Sequence, residues 1–259
     1  MFRKQFAVRA VSLCGFLAAV TMFLMGLSLT IGFSRWDPYM RVDWPQFLGS
    51  VRTAFGAAFF THSFLAFVAM GALVFLLAVG TRTYAAHPTS TVTGLGFLSI
   101  PVLLLALYNV WLAFGHDLVL LRYRSTPDEA LRQTFQQLYQ AGFLAIPVIS
   151  AFMAYFAIAG FALLGYAFFR REGGTGLSWW CWLSAAGLAF AVLALGYGYD
   201  RTFGVNQMPR TLMGWGQLGL WVLPSVTLGL CASWLWQQPA MVAGQAGLEP
   251  AQPPLDKAA

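Results

Sequence analysis

Charge is what this chain has least of. Of its 259 residues only 9% are Asp, Glu, Lys or Arg, whereas 59% are hydrophobic. Soluble domains carry about 25% charged residues, so the ordinary water-soluble class is excluded. The net charge of +6 is spread thinly. No Lys/Arg block exceeds Arg170-Arg171, and no nucleic-acid partner is expected. Cysteine is also scarce. Three is an odd number, and Cys14, Cys181 and Cys231 read as free thiols, with no spacing that proposes a metal site. Strong catalytic and cofactor motifs are missing too. Gly214-Trp215-Gly216-Gln217-Leu218-Gly219 spells a dinucleotide fingerprint, but that fingerprint works only between a strand and a helix. Here it opens an apolar run, where its glycines suit close helix packing. Gly15/Ala19, Gly187/Ala191 and Gly229/Ser233 fit the same role.

What the chain does have is six long apolar runs, over 11–33, 54–79, 94–115, 141–169, 179–197 and 212–236. Crossing ~30 Å of hydrocarbon takes a helix of about 20 residues, and a lipid-exposed backbone must satisfy its own hydrogen bonds. The expected fold is an all-α integral membrane protein, a six-helix transmembrane bundle with kinked helices and a short outer interfacial helix. Residues 1–237 form one membrane domain, and the Gln/Ala/Pro/Gly-rich stretch 238–259 reads as a disordered cytoplasmic tail. Arg3, Lys4 and Arg9 precede the first run, which is longer than a signal-peptide core and lacks a cleavage-like site, so it reads as a retained span.

The cations divide almost evenly between the two sets of loops. Orientation therefore rests on the first ten residues, which hold three cations and no acid. They favour both termini in the cytoplasm of a bacterial inner membrane. Trp179, Trp180, Trp182, Trp234 and Trp236 gather at the predicted inner interface, with Trp36, Trp44 and Trp215 near the outer one, as amphipathic indoles prefer. Asp43 and Pro45 are placed to start the interfacial helix, which runs through Arg52. Thr126-Pro127-Asp128-Glu129 reads as a capping box with Thr126 as the cap. The helix it opens runs toward Phe169, longer than the membrane is thick, so its first part projects on the outer side, accompanied by Leu118–Tyr123. Pro101, Pro147 and Pro224 interrupt spans three, four and six.

The candidate site lies toward the outer half. His62 stands in span two in a stripe with Ala58, Ala66 and Ala69, a face suited to close helix contact. Asn109 and His116 share a face of span three, and Asp117 follows. Gln133, Gln136, Gln137 and Gln140 line the outer start of span four. These residues form a candidate ligand pocket. His62 and His116 could also ligate haem, or His62, His116 and Asp117 a metal ion. Structural polarity is the plain alternative, and no cofactor is the base expectation. His87, beside Pro88, reads as a solvated loop residue.

Thr126-Pro127-Asp128-Glu129, a long helix ending in Leu164-Gly165-Tyr166-Ala167-Phe168-Phe169-Arg170, a short loop and two final spans resemble an uncharacterised bacterial six-span family catalogued only as a domain of unknown function. The resemblance covers Ser125–Trp236 and carries no functional residue. The Trp-rich outer loop and the glycine loop at Gly173, Gly174 and Gly176 depart from that pattern. Three readings stay open. The first is a non-catalytic component whose partners are membrane lipids, a ligand or a membrane protein. The second is a small transporter or permease, which the absence of inverted repeats and of a mid-membrane charge disfavours. The third is a membrane redox or metal/haem enzyme using His62 and His116.

Overall fold

A computed structural model describes residues 2–35, 45, 55–84, 87–112, 115, 117–172, 174, 176–202, 216 and 218–238. Apart from Pro45, the interfacial helix expected from Asp43 to Arg52 lies outside them, as do the outer tryptophans Trp36, Trp44 and Trp215 and the tail beyond Gln238. The described chain is helical almost throughout. In order it forms α1 (Phe2–Arg35), α2 (Phe55–Thr83), α3 (Pro88–Trp111), α4 (Asp117–Ser125), α5 (Glu129–Glu172), α6 (Gly176–Thr202), a π-helical segment (Leu218–Val222) and α7 (Leu223–Gln237). Six of these stretches are long and apolar enough to cross a membrane: Phe6–Leu27, Phe60–Thr83, Pro88–Trp111, Ala151–Arg171, Gly176–Ala194 and Gly219–Gln237. This is a polytopic membrane protein.

The lipid-facing surface is as apolar as the interior, and helical periodicity separates the two. On α2 the buried face is Val68, Ala69, Ala72, Phe75, Leu76 and Val79, while Phe60, Phe64, Phe67, Met70, Val74 and Leu77 are exposed. Both sets follow the helical period. Large side chains face outward where the solvent is hydrocarbon, and small ones let helices approach. The helices close into a ring. Each of α1, α2, α3, α5, α6 and α7 packs on its neighbours in that order, and α7 with its π segment returns against α1. The centre is filled by Phe75, Phe161, Leu164, Phe168, Cys181 and Cys231.

Glycines set the tightest approaches. A Cβ on Gly219 would meet the Gly187 carbonyl oxygen at 2.5 Å, and one on Gly160 the Gly94 carbonyl oxygen at 3.0 Å. The fingerprint-like glycine Gly219 is thus a packing residue between α6 and the π segment. Gly15 similarly leaves room for the Phe75 ring, 2.7 Å from where its Cβ would stand.

Pro101 lies inside α3, as expected. Pro224 lies inside the sixth span, Gly219–Gln237, in the first turn of α7 and directly after the π segment that breaks the regular helix there. Proline has no N–H to give the carbonyl four residues back and its ring crowds that carbonyl. The wider π turn absorbs both problems before the proline rather than after it.

α5 has 44 residues, so at 1.5 Å per residue it is about 66 Å long. Its membrane-spanning stretch is Ala151–Arg171, and the first half extends beyond it. α4 folds back along that extension, with Leu120 and Tyr139 buried against each other. The start of α5 differs from the expected capping box. Asp128 is the cap: its carboxylate accepts from the backbone N–H of Ala130 at 2.8 Å and of Leu131 at 3.3 Å. Asp128 competes with Thr126 two residues earlier, and the carboxylate, a charged acceptor at the positive end of the helix, is favoured. Thr126 instead offers its carbonyl to the Arg132 guanidinium at 3.0 Å.

Candidate functional site

The sequence places polar groups on α2, α3 and α5, and the fold brings two of them into direct contact. Nδ1 of His62 lies 3.2 Å from Oδ1 of Asn109. Asn109 is 3% exposed, and its Nδ2 donates to the Leu105 carbonyl at 2.8 Å. That second bond fixes which end of the Asn109 amide is which, since the reversed amide would set two oxygens against each other. Oδ1 is therefore the end that faces His62. It can only accept, so the His62 proton sits on Nδ1. In the neutral ring Nε2 is then the acceptor. An imidazole whose Nδ1–H is held by an oxygen acceptor is oriented to present Nε2 to a donor or a metal ion.

Both residues lie near the bundle end opposite the start of α1. His62 is two residues inside the span Phe60–Thr83, and Asn109 is two residues from the end of Pro88–Trp111. Their bond ties α2 to α3 at a depth where an unpaired amide is costly. Beside them Tyr108 stacks on Trp111 with ring centroids 5.9 Å apart. This end of the bundle therefore brings polar groups of α2 and α3 together.

The other sequence candidates separate. Gln136 and Gln140 are half-buried on one face of α5, whereas Gln133 and Gln137 are exposed. All four precede the spanning part of α5, so they belong to its extension. His116 and the side chain of Asp117 lie outside the described residues. Among the described residues no three His, Cys, Asp or Glu side chains group as metal ligands.

Sequence reasoning missed His87. It is half-buried and caps α3, its Nδ1 accepting from the Ser90 backbone N–H at 3.3 Å. Its ring stands edge-on to Tyr166 of α5 at 5.1 Å. Pro88 at the first position of α3 was the available signal, because the residue before such a proline is often the cap.

Two further clusters hold the opposite end together. The thiols of Cys181 and Cys231 meet between α6 and α7, and all three cysteines are free. Some of the tryptophans at this end pack inward rather than only marking the interface. Trp182 Nε1 donates to the Ala162 carbonyl at 3.2 Å, and Trp234 stands edge-on to Phe168 at 5.1 Å. Trp179, at 63% exposed, keeps the outward position expected of an interfacial anchor. No family model matches this chain, and no curated protein or solved structure matches it either.

Proposed function

We propose that this membrane protein is a non-catalytic binding component. It takes a hydrogen-bond-donating polar ligand at the end of the bundle where His62 and Asn109 meet. The observation that carries this reading is the fixed tautomer of His62. Asn109 holds Nδ1–H, and Nε2 is the ring's acceptor. The cationic first ten residues support a placement in a bacterial cytoplasmic membrane with both termini inside.

The test has two parts. Metal analysis and an absorption spectrum of purified protein come first; a stoichiometric metal or a haem Soret band replaces this reading with the redox or metal one. A thermal-shift screen of small alcohols, amines and amides follows on wild type, His62→Ala and Asn109→Ala. The expected result is a hit whose shift disappears in both variants while each still purifies as a folded species. A hit that persists in both variants sinks the assignment, as does a screen whose only effect is a lowered melting temperature of the variants.

A further inference from the structure

At the end of the bundle where α1 begins, a cleft of about 320 Å³ opens between three helices. It is lined by Ala7, Val8 and Val11 of α1, Ala78 and Arg82 of α2, and Leu235 of α7. Its walls are apolar and its lip is cationic. Thr81, also on the lip, donates its hydroxyl to the Ala78 carbonyl at 2.8 Å, so the group presented there is the Arg82 guanidinium. The lining contains no carboxylate.

Two more arginines contact residues next to those that line the opening. Arg171 of α5 donates to the Arg82 carbonyl and lies 5.0 Å over the Trp234 ring. Arg9, next to the wall residue Val8, lies 5.4 Å over Trp236. Arginine stacked on an indole is held by its face, while its N–H fork lies in the plane and points past the ring. The charges of Arg82 and Arg171 repel each other. Of the three cations only Arg82 lines the opening, at the depth where the span Phe60–Thr83 ends; Arg171 and Arg9 lie over the tryptophans on either side of the lining residue Leu235. The walls continue from that depth into the hydrocarbon, with Ala78 one turn inward of Arg82 and Val11 one turn inward of Ala7.

We propose that this cleft binds an anionic phospholipid, with its phosphate at Arg82 and an acyl chain along Ala7, Val11 and Ala78. Basic pockets between transmembrane helices are suited to such headgroups. A free inorganic anion would make no use of the apolar walls. A zwitterionic lipid would bring its own cation in beside Arg82.

Native mass spectrometry of the full-length protein, delipidated in neutral detergent, tests this with dioleoyl phosphatidylglycerol, dioleoyl phosphatidylcholine and inorganic phosphate as probes. Wild type should retain phosphatidylglycerol over phosphatidylcholine by at least roughly fivefold, the ratio that about one arginine contact supplies. Arg82→Gln should remove most of that preference. Ala78→Phe, which fills the cleft and keeps the charge, should reduce retention of both lipids. Arg122→Gln, on the exposed surface of α4, should leave the preference unchanged, and inorganic phosphate should not displace the lipid. Equal retention of the two lipids by wild type overturns the proposal, and that comparison stands even if Arg82→Gln does not fold. An unchanged preference in both cleft variants, a matching loss in Arg122→Gln, or full displacement by phosphate overturns it as well.

Discussion

The hydroxyls of Ser184 and Thr227 lie 2.7 Å apart in the buried seam between α6 and α7. Thr227 donates its one proton to the Trp180 carbonyl at 3.0 Å, so Ser184 must be the donor to Thr227. The order of the chain sets the consequences of mutation. Thr227→Val takes away the acceptor and strands a buried donor, whereas Ser184→Ala removes a donor and leaves Thr227 still bonded. Thr227→Val should be the more damaging, by about 1–3 kcal/mol, with Ser184→Ala nearer the ~0.6 kcal/mol typical of hydrogen bonds between membrane helices. Reversible unfolding of both single variants and the double variant measures this, and equal losses would reverse the assigned direction.

The close contact of Gly219 with the Gly187 backbone gives a steric prediction. Gly219→Ala puts a methyl against a carbonyl that cannot rotate away and should cost about 1–3 kcal/mol. Gly96 of α3 has nothing within 4 Å of the position a Cβ would take, and Gly96→Ala should be neutral or stabilise by roughly 0.5–1 kcal/mol through helix propensity. Melting temperatures in one detergent compare them, and a neutral Gly219→Ala would show that the seam is looser than described.

His62 and His87 should carry their protons on opposite nitrogens when neutral. His62 donates from Nδ1 to Asn109, whereas the Nδ1 of His87 accepts from Ser90 and leaves its proton on Nε2. Histidine-selective ¹⁵N spectra, in which His62→Gln and His87→Gln identify two of the three rings, should show those two as opposite tautomers. Asn109→Leu should shift the His62 signals and leave those of His87 in place. Matching tautomers would contradict one of the two bonding patterns.

The start of α5 separates two capping residues. Asp128→Ala should cost about 0.5–2 kcal/mol, the usual loss of a cap, and Thr126→Ala should cost almost nothing because Thr126 contributes a carbonyl rather than its side chain. Hydrogen exchange at the amides of Ala130 and Leu131 should quicken in the first variant only. The reverse pattern would restore Thr126 as the cap.

The six spans were legible because the lipid requirement writes itself into long runs that need no partner to be read. The small-residue stripe beside His62 likewise announced a packed face, and Ala69 is 4% exposed while Val74 on the far side is 51% exposed. What the sequence left open were choices between near-equals. Thr126 and Asp128 are both good caps two residues apart, and it is the Asp128 carboxylate that takes the first N–H groups of α5. Pro224 announces a disturbance, but whether the helix kinks after it or widens into a π turn before it depends on how closely Gly219 approaches Gly187. The His62–Asn109 bond depends on the rotation of two helices about their own axes. A shift of one residue position, about 100° of rotation, would have turned either side chain away, and periodicity does not fix rotation that finely. His87 looked solvated because its partner Tyr166 stands far along the chain.

The closure of the ring by α7 against α1 has a consequence for how the protein is made. Every other seam in the ring joins helices that are close in synthesis order, so it can form soon after its second member enters the membrane. The α1 face that receives α7, with Ala19 3.7 Å from where a Gly229 Cβ would stand, has to wait for the whole chain. At a synthesis rate of about 5–20 residues per second, that interval is roughly 10–40 s. During it the small-residue face of α1 is open to lipid or to a foreign helix, and the final span acts as the lock that ends assembly.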